Sequence, residues 1–209
     1  MLNRHARELF TRLFTPLAAL LLRLRVSPDA VTVVGTAGVC AGALVLYPLG
    51  ELFWGTVAVT AFVFSDVVDG IMARMAGRTG RGAQWGSFLD STLDRVQDAA
   101  VFGGIALWFF GAGDDFTTGA LAVACLAAGN LVSYARAKAE SLGYSANTGI
   151  AERAERLVAV LLVTGLTGLG LPVPFLTWTL GILAVASAVT VGQRIAAVRA
   201  QTREDRAGA

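Results

Sequence analysis

The sequence predicts an all-α integral membrane protein with six transmembrane helices, preceded by an N-terminal interfacial amphipathic helix. Its composition, its apolar segments and the placement of its basic residues lead to this prediction. Of the 209 residues, 55% are hydrophobic and only 15% are charged, whereas a soluble globular domain has about 25% charged residues. The mean hydropathy of +0.63 excludes an ordinary water-soluble globule. The net charge of +2 is too small to suggest nucleic acid as a partner, and two cysteines exclude a disulfide framework.

Six apolar segments are separated by glycine- and proline-rich breaks, and together they predict one membrane domain over residues 1–209. The segments cover residues 31–49, 52–71, 88–110, 117–135, 157–171 and 175–191. A helix needs about 20 residues to cross a bilayer, so the fifth segment must include flanking residues. The glycine-rich run over 77–86 is predicted to be a break between the second and third helices.

The N-terminal stretch over residues 2–25 is amphipathic, because Leu9 and Leu13 recur at helical spacing among arginines. Its apolar part is too short to span a membrane and its flanks are charged. It therefore predicts a helix that lies on the membrane surface. Ser27 and Pro28 then form a helix-start signal, with Ser27 as the N-cap residue.

Connections that carry basic residues alternate strictly with connections that carry none. All 17 basic residues precede the first segment, lie in or beside the second and fourth connections, or follow the sixth segment. The first, third and fifth connections carry only Glu51, Asp114 and Asp115 as charged residues. This positive-inside pattern predicts a multi-pass cell-membrane protein. Both termini, the tail over 201–209 and the active site are expected on the cytoplasmic side.

Four aspartates lie at the cytoplasmic ends of the second and third segments. Asp66 and Asp69 are three residues apart, and Asp90 and Asp94 are four apart, so each pair occupies one helix face. Carboxylates at membrane depth are costly, and two facing pairs repel each other. One or two divalent cations between the helices would resolve both problems. Oxygen ligands alone favour a hard ion, Mg²⁺ or Mn²⁺.

The four aspartates also have interpretations in which the protein is not an enzyme. The acids could be solvated helix ends paired with Arg74 and Arg95, although four of them on consecutive helices make this the weaker interpretation. An ion- or proton-coupled transporter also uses intramembrane acids, but transport carboxylates favour the bilayer midplane, whereas these lie at one end. A membrane scaffold would need none of the four.

A group of basic residues lies at the cytoplasmic ends of the fourth, fifth and sixth segments. Positive-inside topology alone could account for it. However, arginine binds phosphate bidentately, and a group of this size suits an acceptor substrate that itself carries a phosphate. Its members are Arg136, Lys138, Arg153, Arg156 and Arg194.

The aspartates also carry a family resemblance. The runs from Asp66 to Arg74 and from Gly86 to Asp94 resemble the signature of the CDP-alcohol phosphotransferases, D-x-x-D-G-x-x-A-R, a loop, then G-x-x-x-D-x-x-x-D. Eleven residues separate Arg74 from Gly86, where the family usually has about eight. Further segments resemble the actinobacterial branch of this family that uses inositol phosphate, namely residues 27–35, 133–140 and 152–157.

The resemblance implies transfer of a phosphatidyl group from CDP-diacylglycerol to an alcohol, with release of CMP. It implies Mg²⁺ as cofactor, with two ions expected and Mn²⁺ possible. Asp94 would be the general base. The metal ligands implied are Asp66, Asp69, Asp90 and Asp94.

Two binding sets follow from the same resemblance. The residues implied for the nucleotide of the CDP-lipid are Gly70, Ala73, Arg74, Thr79, Gly86, Asp29 and Thr32. Those implied for the acceptor phosphate are Arg136, Arg156, Arg194, Lys138, Ser133 and Arg153. The expected acceptor is inositol phosphate, which gives phosphatidylinositol phosphate; glycerol phosphate and free inositol are the alternatives. A homodimer surrounded by membrane lipids is also implied.

Overall fold

The computed structural model describes residues 2–207, with side chains from residue 11 to residue 204. Within that range the chain forms helices and no strand, so the predicted all-α class is confirmed. The helices are α1 (Leu2–Arg23), α2 (Pro28–Ala41), α3 (Leu52–Val63), α4 (Ser65–Met75), α5 (Gly80–Phe110), α6 (Phe116–Ser141), α7 (Arg153–Gly168) and α8 (Val173–Ala207). A π-helical turn, Gly42–Leu46, extends α2.

Side-chain caps define where several helices begin. Ser27 Oγ accepts a hydrogen bond of 3.2 Å from the Ala30 N–H, which confirms the predicted start of α2. Asp115 caps α6 by accepting a bond of 3.1 Å from the Thr118 N–H. This bond to the ionised carboxylate holds the pKa of Asp115 below its usual value. A capping box opens α7, in which the Glu152 N–H donates to Glu155 Oε2 at 2.8 Å.

The predicted break over 77–86 is wrong in its second half. Helix α5 begins at Gly80, so the connection between α4 and α5 is only residues 76–79. Gly77 and Gly80 have φ of +62° and +57°, a region that glycine reaches without strain. The apolar pattern shows only the buried part of a helix, and α5 continues beyond it with polar residues.

Helices α6 and α8 also extend further than their apolar segments. Helix α6 ends at Ser141, and α8 continues to Ala207 through most of the predicted tail. Residues 208 and 209 of that tail lie outside the described residues.

Four stretches are long and apolar enough to cross a membrane. They are Pro28–Leu46, Leu52–Met75, Phe116–Ser141 and Val173–Glu204. Helix α5 is long enough but is not among them, because the charged residues Asp94, Arg95 and Asp98 interrupt its apolar part. Helix α7 has only 16 residues. The described chain therefore supports four spans on length and composition, and the six-span count stays a prediction.

Two buried clusters hold the helices together. The larger one joins α2, α3 and α5–α8, and its largest apolar members include Tyr47, Phe102 and Phe109. The smaller one places Ala18 of α1 against Val68 and other residues of α4. In lipid, such contacts stabilise through close packing rather than through exclusion of water. The second cluster fixes α1 beside the helix that carries Asp66 and Asp69.

Adjacent glycines of α5 provide a test of this packing. A Cβ at Gly104 would lie 2.9 Å from the carbonyl carbon of Ala43, whereas a Cβ at Gly103 would meet nothing within 4 Å. Overpacking costs about 1–3 kcal/mol. We therefore expect Gly104→Ala to lower the midpoint of thermal unfolding in detergent by several degrees, about 2–4 °C for each kcal/mol. Gly103→Ala should leave it unchanged or raise it, and equal effects of the two substitutions would contradict the packing described.

Candidate active site and nucleotide cavity

The structure brings together the four aspartates predicted from the motif. Asp66 and Asp69 lie on α4, and Asp90 and Asp94 lie on α5. Asp66, Asp69 and Asp90 border one cavity, and Arg153 contacts both Asp66 and Asp94. The short turn between α4 and α5 therefore folds both pairs toward one space.

Hydrogen bonds from neighbouring helices orient the two aspartates of α4. Thr32 Oγ1 of α2 donates to Asp69 Oδ2 at 2.5 Å, and Asp69 is only 6% exposed. Gln97 Nε2 of α5 donates to Asp66 Oδ1 at 3.2 Å and to Thr36 Oγ1 at 3.1 Å. The other oxygen of Asp66, Oδ2, is buried and accepts no hydrogen bond. The sequence carried no signal for the role of Gln97.

Arg153 lies among the aspartates. The sequence predicts it only as a ligand of the acceptor phosphate. Its Nη1 is 2.6 Å from Asp94 Oδ1 and 3.6 Å from Asp66 Oδ2. Its Nη2 donates to Gln97 Oε1 at 2.8 Å. The guanidinium thus compensates part of the negative charge that the aspartates concentrate here.

The donor set suits a hard cation. Within the described residues, no three acidic, histidine or cysteine side chains already form a metal-binding group, and Arg153 contacts two of the aspartates. However, carboxylate oxygens from two helices face one space, and Asp66 Oδ2 has no hydrogen-bond donor. All-oxygen donors of this kind fit Mg²⁺ or Mn²⁺. The residues that could hold such ions are Asp66, Asp69, Asp90 and Asp94.

A fifth aspartate, which the motif does not include, organises the arginines behind this site. The Asp98 side chain is 4% exposed, and its Oδ2 is 3.5 Å from Arg156 Nη2 and 3.4 Å from Arg95 Nη1. Its Oδ1 is 3.1 Å from Arg153 Nε. Asp98 is four residues after Asp94, so its position on the same helix face was available from the sequence.

Two of the predicted acceptor arginines are buried. The Arg156 guanidinium packs against Gly129, where a Cβ would lie 2.9 Å from Nη2. Arg194 is 3% exposed, and it donates to the carbonyl oxygens of Val132 at 2.5 Å and Thr148 at 3.0 Å. Arg194 thereby ties α8 to α6 and to the connection that follows α6.

The remaining members of the acceptor set line the end of α6. Ser133 accepts a hydrogen bond from Arg95 and donates one of 3.3 Å to the Gly129 carbonyl. Arg136 pairs with Glu140 at 2.8 Å on the exposed surface, and Lys138 is exposed on the same helix. The structure therefore gathers Arg153 and Arg156 around Asp98 and leaves Arg136 and Lys138 at the surface.

A cavity of about 430 Å³ lies between α2, α4 and the beginning of α5. Its volume is within the range of small-molecule sites. Six of the seven residues predicted for the nucleotide line it, namely Asp29, Thr32, Gly70, Ala73, Arg74 and Gly86. The seventh, Thr79, is not among its lining residues. Three of the aspartates line it as well: Asp66, Asp69 and Asp90. Sequence reasoning missed Pro28, Arg78, Gly82, Ala83 and Ser87.

The site combines carboxylates suited to hard cations with a cavity of nucleotide size, and its helices are apolar enough to cross a membrane. This combination is characteristic of a membrane-bound, metal-dependent phosphotransferase. The comparison with known families gives the particular class. The chain belongs to the CDP-alcohol phosphatidyltransferase family, whose sequence pattern matches residues 25–192. The family and enzyme class predicted from the aspartate motif are therefore confirmed.

The chain is similar to curated proteins named phosphatidylinositol phosphate synthase. The protein of that name from Streptomyces avermitilis is 54% identical over 213 residues, which cover 98% of this chain and 85% of the relative. The one from Mycobacterium tuberculosis H37Rv is 39% identical over 196 residues, which cover 91% of this chain and 87% of the relative.

Solved structures of the Mycobacterium tuberculosis phosphatidylinositol phosphate synthase have the same fold. Its crystal structure with CDP-DAG bound superimposes with a TM-score of 0.84 at 40% identity, covering 90% of this chain and 94% of that one. The structure in complex with manganese and citrate gives a TM-score of 0.83 at 40% identity, covering 88% of each chain. The manganese in this relative agrees with the predicted divalent metal.

Proposed function

We propose that this chain transfers the phosphatidyl group of CDP-diacylglycerol to inositol phosphate, giving phosphatidylinositol phosphate and CMP. The observation that carries the proposal is the meeting of three motif aspartates with six predicted nucleotide residues around one cavity. The similarity to named phosphatidylinositol phosphate synthases supports the acceptor. The family assignment favours this enzyme over an ion- or proton-coupled transporter.

The reaction is a displacement at phosphorus. A hydroxyl oxygen of inositol phosphate forms a bond to the lipid-side phosphorus, the bond from that phosphorus to the CMP oxygen breaks, and the hydroxyl proton goes to Asp94. Bound Mg²⁺ or Mn²⁺ neutralises the diphosphate and stabilises the leaving CMP. Asp66, Asp69 and Asp90 hold the ions, and Asp94 contributes a ligand besides acting as base.

The chain's own groups place the two substrates on either side of Asp94. The cavity binds the nucleotide with Gly70, Ala73, Arg74, Gly86, Asp29 and Thr32, and Thr79 completes this set from the adjoining turn. Arg153 connects Asp94 to the acceptor side, because its guanidinium is within 2.6 Å of the Asp94 carboxylate. This contact would hold the base in place while the acceptor hydroxyl approaches.

The acceptor phosphate is bound by the predicted basic set. Arg156 is included because its Nε donates no hydrogen bond within the described chain, while its Nη2 is 3.5 Å from Asp98 Oδ2. Asp98 contacts both Arg153 and Arg156 and fixes their positions relative to each other. Arginine guanidinium groups bind phosphate bidentately. The proposed set is Arg136, Arg156, Arg194, Lys138, Ser133 and Arg153.

The proposal includes a membrane topology and an assembly. One domain over 1–209 would cross the cell membrane six times, with α3 and α4 as one span, and both termini and the active site would be cytoplasmic. The alternating basic residues support this orientation. Helix α1 would lie on the membrane, and the exposure of Leu13, Leu17 and Leu20 supports an apolar surface there. The homodimer rests on the family resemblance.

Release of CMP by the purified protein tests the function. Detergent-solubilised protein would receive CDP-diacylglycerol and Mg²⁺ with inositol phosphate, inositol, glycerol phosphate or no acceptor. We expect rapid release with inositol phosphate only. Release with another acceptor would support the proposed reaction type but refute inositol phosphate as the acceptor. A folded protein that releases no CMP with any of them would refute the reaction itself.

A further inference from the structure

Arg78 of the α4–α5 connection and Trp85 near the beginning of α5 both contact one carboxylate on α2. Arg78 Nη1 donates to Asp29 Oδ1 at 2.5 Å, and Trp85 Nε1 donates to Asp29 Oδ2 at 3.2 Å. Both oxygens of Asp29 are therefore engaged, one by a charged donor and one by a neutral donor. We call this arrangement of Asp29, Arg78 and Trp85 the Asp29 bridge.

The Asp29 bridge joins two walls of the nucleotide cavity. Asp29 lines the cavity from the first turn of α2, and Arg78 lines it from the connection. Gly86 lies beside this contact, since a Cβ there would be in ordinary van der Waals contact with Arg78 Nη1, at 3.4 Å. The Arg78 and Asp29 side chains are 23% and 30% exposed, so the ion pair is partly shielded from solvent and stronger than an open surface pair.

The interval between Arg74 and Gly86 supplies both donors of the bridge. Eleven residues separate Arg74 from Gly86, and both Arg78 and Trp85 lie in this interval. Its last six residues, 80–85, already belong to α5. The interval thus forms a short turn followed by additional helix, which brings the Trp85 indole to α2.

We infer that Arg78 and Trp85 are positioning residues, which hold Asp29 at the nucleotide end of the cavity and thereby determine the affinity for the CDP-lipid. The inference rests on the proposed function. Two donors fix the rotamer of the carboxylate and the separation of the cavity walls before the substrate binds. Without them, Asp29 is free to turn toward solvent, and binding must supply the cost of ordering it.

Kinetics with each substrate varied separately test the inference. Because Arg78→Gln removes a charge-assisted hydrogen bond, we expect it to raise the KM for CDP-diacylglycerol about tenfold. The KM for inositol phosphate should stay within about twofold, because the acceptor site does not contact the bridge. Arg78→Lys should recover part of the loss, and Trp85→Phe should raise the same KM about threefold. Arg81→Gln, an exposed arginine of the same interval, is the matched control and should behave as wild type.

A binding measurement separates failure of the inference from failure of the proposed function. CDP-diacylglycerol with Mg²⁺ and no acceptor should raise the unfolding midpoints of wild type and Arg81→Gln. The same addition should raise the midpoints of Arg78→Gln and Trp85→Phe by a smaller amount. Equal stabilisation of all four proteins would overturn the bridge, as would equal KM increases for both substrates. Stabilisation without any turnover would refute the proposed reaction while leaving the bridge supported. If CDP-diacylglycerol stabilises none of them, wild type included, both are refuted.

Discussion

Asp94→Asn is expected to reduce CMP release by about 10²–10⁴-fold, the usual contribution of a general base. The amide keeps the shape of the side chain but cannot take the proton of the acceptor hydroxyl. It also loses the charge that holds Arg153 Nη1 at 2.6 Å. The measurement is the rate of CMP formation with both substrates and Mg²⁺ at saturation.

Asp115→Asn is the matched control for this substitution. Asp115 caps α6 in the connection after α5, and asparagine is an equally good N-cap residue. We expect full activity and only a small fall in the unfolding midpoint, because the cap hydrogen bond is kept while the carboxylate charge, whose stabilisation lowers the pKa of Asp115, is lost. Substantial activity of Asp94→Asn, or an equal loss in folded Asp115→Asn, would contradict the role assigned to Asp94.

Asp98→Asn should have the largest effect on stability. The substitution leaves Arg156, which is 1% exposed, without its carboxylate. Removal of one partner from a buried ion pair costs about 3–5 kcal/mol. For a chain of this size, that corresponds to a fall of about 6–20 °C in the unfolding midpoint, which can be measured by thermal unfolding in detergent.

The exposed pair of Arg136 and Glu140 provides the comparison for Asp98. Its side chains are 48% and 52% exposed, so Glu140→Gln should change stability by no more than about 0.5 kcal/mol. Because Asp98 holds Arg153 and Arg156, Asp98→Asn should also raise the KM for inositol phosphate more than that for CDP-diacylglycerol. An unfolding midpoint equal to that of Glu140→Gln would show that Asp98 does not stabilise the buried arginines.

Much of the fold and the carboxylate site could be predicted from the sequence, because both depend on local patterns. Apolar segments located the helices, the Ser27–Pro28 signal located the start of α2, and the spacing of the aspartates placed each pair on one helix face. The start of α5 at Gly80 could not be predicted. Glycines favour a break on average, and the Asp29 bridge that accompanies the extra helix depends on a residue about 50 positions earlier.

The partners of the arginines could not be predicted for a related reason. The sequence gives the charge of Arg153 and the end of the bundle where it lies, but not which carboxylate is within reach. Arg153 contacts Asp66 and Asp94 across long chain separations, and Arg194 binds backbone carbonyls of α6 and of the following connection. Such contacts are set by how the helices pack, and no local spacing encodes them.

Identification of the lipid product tests the central claim most directly. Wild-type protein would be incubated with CDP-diacylglycerol, inositol phosphate and Mg²⁺, and the lipid extract would be analysed by mass spectrometry while CMP is quantified. We expect phosphatidylinositol phosphate and CMP in equal amounts, with neither formed after metal chelation. Phosphatidic acid in place of that lipid, or a product that forms equally well without divalent metal, would contradict the proposed reaction.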